Sequence, residues 1–442
     1  MREPDTAGDT QNSRQPATKR EGSRYYSRRQ ALVSLTSVGT LALAGCNFQS
    51  VMPGVKPLWE RDFSSAMAAG PPAATDEHVV VGGQDTQLHA FSADGERTFR
   101  FETGGPIEAR PAVPASGGPV HVHSTDGDLY TVGLSGAKLW HVEGQAQNRW
   151  LDRQGPLLFG TAPDGRGVTG YDARDGTRRF QLSGQADPYP PSPFSRSPTL
   201  SGSVCLLSAP NSDGDEKLVA HAPRSGEVLW ESKARDRSPS VVAADEWVLT
   251  AYWRSDSYST VCMRRASNGH IRWQTAVAGD VSSHFGSPLW LGEHVYVQSS
   301  RDERPDELVA IDRADGSIQW RRSVGYELER VTPTAAGVFV ASSVVDPDGG
   351  ILVRLDAFSL DGTQRWQTTT DVHIGGTVQS LGRVGGVLFV ASDNEIAAYD
   401  PDSGSRRWQY NPESSQIGVS AADGALYISH RDTGGLARLP TD

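Results

Sequence analysis

Two histidines set two residues apart, His121 and His123, are the first side chains whose type and spacing could do chemistry. On a strand they would point to one side, where two imidazoles could begin a metal site. They make half of a four-ligand site, and no third ligand can be named beside them. Calcium would need carboxylates at alternating positions, and Asp213-Gly214-Asp215 and Asp346-Pro347-Asp348-Gly349 come nearest. Neither run keeps the Asp-x-Asp-x-Asp-Gly spacing with a distal Glu, and both read as loops in which Asp and Gly form turns. Gly165-Arg166-Gly167-Val168-Thr169-Gly170 spells a dinucleotide fingerprint, but it falls in a hairpin and opens no helix, so the geometry that grips a phosphate is missing. The sequence names no catalytic residue and no metal ligand set.

The remaining chemistry lies near the start. Residues 1–26 are polar, mixed in charge and without apolar periodicity, which reads as a disordered leader. Residues 27–46 then place the pair Arg28-Arg29 ahead of an apolar stretch, Ala31 to Ala44, of 14 residues. That is too short to span a bilayer and suits the apolar region of a signal peptide. The stretch ends in Leu43-Ala44-Gly45-Cys46, which resembles a lipobox, and the arginine pair resembles a twin-arginine export signal, although Ala31 stands where that pattern usually has Phe. The resemblance implies a lipid on Cys46 and a chain held at the extracytoplasmic face of the cell membrane, with residues 47–54 as a linker. Beyond Cys46 only Cys205 and Cys262 remain, too few for a disulfide framework; they read as small buried apolar residues with one optional bridge.

With 42 basic and 53 acidic residues among 442, the formal charge is -11, which gives a phosphate backbone no electrostatic attraction and argues against a nucleic-acid partner. Only five of the basic residues are Lys. An acidic, Lys-poor composition resembles that of proteins from halophilic archaea, and high-GC codon usage produces the same skew. The 47 Gly and 27 Pro punctuate the chain too often for long helices.

What must position any site is a repeat. Eight times a Gly that follows Asp, Ser or Asn is followed four residues later by a large aromatic residue: Phe99, Trp140, Phe180, Trp230, Trp273, Trp320, Trp366 and Trp408. Trp59 matches the end of the unit alone, and the successive spacings are 40, 41, 40, 50, 43, 47, 46 and 42. Each unit reads as four short strands with a tight Asp-Gly hairpin before the aromatic strand, which is one propeller blade. A blade cannot bury both faces of its sheet alone, so the aromatic is expected to fill the wedge between neighbours. The last hairpin, with Leu426-Tyr427-Ile428, lacks an aromatic strand that the segment around Trp59 could supply, pairing the two ends of the chain.

The unit, with runs such as Leu308-Val309-Ala310-Ile311-Asp312, its Asp-Gly turn and its terminal Trp, resembles the pyrroloquinoline quinone (PQQ)-like propeller repeat over residues 55–442. That family includes quinoprotein dehydrogenases and the noncatalytic outer-membrane assembly factor BamB. The fold expected is all-β, a propeller of eight or nine four-stranded blades, nine by hairpin count and eight by family norm. For function, the resemblance implies a noncatalytic protein-binding scaffold of the BamB type without cofactor, or alternatively a PQQ-dependent quinoprotein dehydrogenase using PQQ and calcium. The alternative would bring adjacent cysteines or a Cys-x-x-Cys-His haem site, and the chain has neither. The expected partner is an extracytoplasmic or membrane protein.

The innermost strand of each blade is expected to start at the prolines near Pro72, Pro111, Pro156, Pro198, Pro239, Pro288 and Pro333. Arg110, Arg153, Arg196, Arg235, Arg237 and Arg330 lie just before such starts or their equivalents, and so are candidates to rim the central channel and bind an anionic group. The competing expectation is that each pairs with a neighbour such as Glu108, Asp152, Asp236 or Glu329.

The lipid anchor is directly testable. Cys46→Ala should move the protein from the membrane fraction to the soluble or secreted fraction of fractionated cells, because a 14-residue apolar segment anchors weakly without acylation. Unchanged membrane retention would count against Cys46 as the anchor.

Overall fold

The computed structural model describes residues 54–442, apart from 64–69, 76, 115–116, 145–149, 163–166, 183–198, 202–203, 211–215, 233–239, 245, 256–257, 282–288, 302–303, 346–348, 374–377, 393–394, 413, 415 and 423. Among the described residues every regular element is a β-strand, and the strands form nine sheets. We number these as blades 1 to 9 in chain order. Their strands lie between residues 73–102, 112–142, 151–182, 199–231, 240–278, 289–323, 327–373, 380–410 and 417–439. The count of nine follows the hairpins of the sequence.

Each blade is an antiparallel meander from an innermost first strand to an outer fourth. The first strands identify the axis, because those of neighbouring blades lie side by side: Glu327–Thr334 by Ser380–Val384, and the latter by Ile417–Ala422. Ile417–Ala422 of blade 9 in turn lies beside Ala73–Ala74 of blade 1, which closes the ring. Blade 9 is composite. Its outer strand is Trp59–Asp62, paired antiparallel with Gly435–Leu439 in the register Trp59 to Arg438 and Asp62 to Gly435. The two ends of the propeller are thus sewn into one sheet.

Blade 2 departs from the four-strand rule. Its ladder has three strands, and its innermost segment is reduced to one bridge in which Ala112 and His121 exchange both backbone hydrogen bonds at 2.9 Å. Pro111 and Pro114 flank Ala112 and have no N–H to extend the ladder.

The turn before each aromatic strand shows why the sequence repeats as it does. Gly95, Gly136, Gly176, Gly226, Gly269, Gly316, Gly362 and Gly404 all have positive φ, between 69° and 82°, in the left-handed region that a side chain resists. Beside each turn the third and fourth strands slip by a β-bulge, as between Ala310 and Ile311 or Ala398 and Tyr399. Blade 9 has no slip between its outer two strands, since its outer strand arrives from the other end of the chain and no turn joins them. Just before the slip the aromatic faces a residue that is mostly small: Ala90 opposite Phe99, Gly170 opposite Phe180, Ala310 opposite Trp320.

The aromatic then lies across the turn glycine of the next blade. A Cβ added at Gly316 would fall 2.7 Å from the Trp273 ring, and one at Gly95 would fall 2.5 Å from Trp59. The same contact joins Phe99 to Gly136, Trp140 to Gly176, Phe180 to Gly226, Trp230 to Gly269, Trp320 to Gly362 and Trp366 to Gly404. Most of the indoles also donate Nε1–H to a carbonyl of that turn, including Trp59 to Ala93 at 2.8 Å, Trp230 to Ala266 at 2.7 Å and Trp320 to Leu360 at 2.8 Å. The core therefore sits between blades. One cluster joins Tyr296, Leu308 and Trp320 of blade 6 to Leu328, Val338 and Phe358 of blade 7.

Two glycines separate the conformational part of this contact from the packing part. Gly424 has φ +71° and open space where a Cβ would stand, whereas at Gly316 (φ +80°) the Cβ would meet Trp273 and Thr275 within 2.8 Å. Gly424→Ala should cost about 1 kcal/mol of left-handed strain, and Gly316→Ala about 1–3 kcal/mol more from overpacking. Unfolding in urea would show the difference; equal losses would mean that the aromatic docking is slack.

Candidate functional site

The innermost strands bring the candidate arginines towards the axis, but not all in the same way. Arg110 and Arg330 hold the same repeat position, two residues before the residue that pairs with a ring on the second strand: Ala112 opposite His121 and Thr332 opposite Phe339. Arg110 donates from Nη2 to Ser420 Oγ at 3.2 Å. Ser420 belongs to the innermost strand of blade 9, so the Arg110 side chain reaches past blade 1, whose own innermost strand is only two residues long. Its guanidinium meets solvent yet is crowded by protein, and the resulting desolvation lowers its pKa, with Asp152 of blade 3 acting in the opposite sense.

Arg330 donates from Nε to the Gln379 carbonyl at 3.1 Å and from Nη1 to the Glu329 carbonyl at 2.6 Å. Beside it Thr332 donates to the Leu381 carbonyl at 2.6 Å, so this strand bonds sideways to blade 8. Glu329 is the extra residue of a bulge in the innermost strand of blade 7. It is buried, its carboxylate accepts from Ser343 Oγ at 2.6 Å, and its pKa is raised by burial against that hydrogen bond and Arg330.

Arg153 is placed differently from the sequence expectation. The innermost strand of blade 3 is Leu151–Gln154, which ends before Pro156, while Pro156 lies in the turn to the second strand. Arg153 is therefore inside the strand, three positions further along than Arg110, and alternation turns it to the other side. There it donates from Nε to the Gly155 carbonyl at 3.1 Å, and its charge bears on His121. Pro72 and Pro111 do stand at the start of an innermost segment, but Pro156 lies in the hairpin turn and Pro333 lies one residue from the end of the innermost strand Glu327–Thr334, so both misled the register and Arg330, like Arg153, lies inside its strand.

Among the described residues none of Arg110, Arg153 and Arg330 forms an ion pair; each bonds to carbonyls or to a hydroxyl. The neighbours named as competitors, Asp152 and Glu329, act on Arg110 and Arg330 without pairing. Arg196, Arg235 and Arg237 lie outside the described residues, as do Arg28, Arg29, Cys46, Asp213 to Asp215 and Asp346 to Asp348. Ser420, Gln379 and Ser343 were not singled out from the sequence, since no local pattern marks them and only the ring brings them to the arginines.

His121 and His123 are fully buried on the second strand of blade 2. His121 takes the place that Phe339, Phe389 and Tyr296 hold in other blades, with its ring 5.8 Å from that of Trp140 and Nδ1 at 2.6 Å from Thr131 Oγ1. Burial drives its pKa down to about 3 and that of His123 to about 4, so both stay neutral. Among the described residues no three His, Cys, Asp or Glu side chains gather where they could hold a metal ion. A second polar group in the same blade is closed on itself: Tyr130 donates to Asp126 at 2.7 Å and stacks on His141, which meets Asp128 at 2.9 Å. Cys205 and Cys262 are buried, and burial pushes the Cys205 thiol up to about 12, which makes it inert.

The family model described as outer membrane protein assembly factor BamB matches residues 55–188 and 214–440. No curated protein sequence matches the chain. The crystal structure of BamB from Moraxella catarrhalis is similar, with a TM-score of 0.53 and 12% identity over 87% of this chain and 99% of that one. So is that of the dihydro-heme d1 dehydrogenase NirN in complex with DHE, with a TM-score of 0.50 and 12% identity over 77% of this chain and 75% of that one. At these identities the likeness is one of fold.

The neutral histidines make the fold acid-sensitive. Their folded pKa values, about 3 and about 4, lie below the unfolded value of 6.5, so below pH 6.5 the unfolded chain takes up protons that the folded chain refuses. Stability is unaffected above pH 6.5 and falls between there and pH 4, by about 1.4 kcal/mol per pH unit for each histidine once the pH is well below 6.5. His121→Phe, which restores the ring found in other blades, should remove one such contribution from the pH dependence of urea unfolding. An unchanged slope between pH 6 and pH 4.5 would mean that His121 titrates normally.

Proposed function

The chain belongs to the outer membrane protein assembly factor BamB family, and from that premise we propose that it is a lipid-anchored, extracytoplasmic propeller that binds a protein partner and catalyses nothing. The single observation that carries this reading is the family match, which covers eight of the nine blades whole and the outer two strands of blade 4. Two further features support it. The sequence ahead of the propeller has the order of charge, apolar run and cysteine that an anchored export substrate needs. The propeller ends are stitched together by Trp59–Asp62, which suits a rigid platform presenting loops. If the source is archaeal, the partner of a bacterial outer-membrane assembly factor does not transfer with the scaffold.

Crosslinking on intact cells, followed by pull-down of the chain, should capture a specific membrane or extracytoplasmic protein, and Cys46→Ala should reduce that capture. The purified protein should neither retain PQQ nor reduce an acceptor dye when given PQQ, calcium and a panel of alcohols and sugars. Calcium-dependent turnover with any of them, or quinone bound in a one-to-one ratio, would move the reading to the quinoprotein dehydrogenase alternative.

A further inference from the structure

The axial arginines are the feature that neither packing nor the ring contact explains. A guanidinium drawn partly out of water without an ion-pair partner pays desolvation for little return. Arg110 spends one donor on Ser420 and Arg330 spends two on backbone carbonyls, which leaves donors on both. Asp152 and Glu329 act on them without forming an ion pair. Glu329 is turned to Ser343, and Asp152 accepts from Gln154 Nε2 at 3.0 Å while acting on Arg110 only at a distance. The rest of the molecule carries an excess of acid, with 53 acidic against 42 basic residues.

Blades 2 and 7 stand four blades apart in a ring of nine, and their arginines leave equivalent repeat positions, Arg110 to reach Ser420 of blade 9 and Arg330 to reach Gln379 at the start of blade 8. A chain with carboxylates along its length can engage both. We propose that Arg110 and Arg330 receive an acidic peptide segment across the mouth of the central channel, each guanidinium holding a carboxylate, with the segment supplied by the partner protein. This rests on the scaffold reading for the source of the segment, while the site itself is a property of the propeller.

The test uses the purified full chain and fluorescein-labelled hexaglutamate, read by anisotropy. We expect one-to-one binding that weakens as salt rises. Arg110→Gln and Arg330→Gln should each weaken binding at least about tenfold, as the loss of a charge-assisted fork does, and the double variant should weaken it further. Arg224→Gln, an exposed arginine in the turn before the outer strand of blade 4, should change nothing. Unchanged melting temperatures would confirm that the axial variants are folded. Arg110→Lys, which keeps the charge and loses the fork, should recover only part of the affinity. The proposal is overturned if hexaglutamate fails to bind, if the double variant binds it equally well, or if citrate or PQQ displaces it at equal concentration through the same arginines. Because the titration needs no cellular partner, its failure is separable from a failure of the crosslinking that tests the scaffold.

Discussion

An aromatic ring laid on a left-handed glycine of the next blade is the contact on which the other features depend. The glycine is required twice, once for its positive φ and once because a Cβ would enter the ring, as at Gly316 under Trp273. The contact is directional: blade 5 gives Trp273 to blade 6, and blade 6 gives Trp320 to blade 7. Such a head-to-tail series leaves an unused ring at one end and an uncovered turn at the other unless it closes. Trp59 covers the open turn by entering blade 9 as its outer strand and laying its ring on Gly95 of blade 1, while Trp408 of blade 8 finds no such turn in blade 9 and packs instead in the apolar cluster with Ile417, Leu426 and Ile428 of that blade. Spacings from 40 to 50 residues are tolerated because the variation falls outside this contact.

The interblade core draws on the second, third and fourth strands of each blade, and only the innermost strand is released from the repeat. The innermost strands range from the two residues Ala73–Ala74 to the eight of Glu327–Thr334, and in blade 2 a single bridge suffices. Their hydrogen bonds go sideways as well as along the sheet, as from Thr332 to Leu381 and from Arg330 to Gln379. Charged residues that the interblade core would reject are tolerated here. This is the physical setting in which Arg110 can leave its own blade and end on Ser420.

Blade 2 shows how far the packing positions can be varied. His121 keeps the ring that the interblade wedge needs and accepts a neutral imidazole in place of Phe or Tyr, with Thr131 answering one nitrogen. A pair of histidines that looks like half a metal site is, in its setting, part of a hydrophobic joint beside Trp140. The same substitution makes that joint sensitive to acid, since protonation would place a charge where the other blades have none.

The sequence by itself determined the all-β class, the repeat, the aromatic and glycine positions, the nine hairpins and the pairing of the two ends. These were legible because each is periodic and local: a turn that needs Gly, a ring a fixed number of residues later, strands that alternate. Whether nine hairpins make nine blades was left open, and the ring settled it because Trp59–Asp62 completes the ninth sheet. The tertiary structure alone decided which arginines hold equivalent positions in their blades. Arg110 stands directly before Pro111 and Arg153 three residues before Pro156, yet the strand of blade 3 ends where the sequence suggested it would begin, and an odd shift of register turns a side chain to the opposite face. Ser420 lies 310 residues from Arg110 and becomes its neighbour only because the ring closes, a relation that no local pattern can carry.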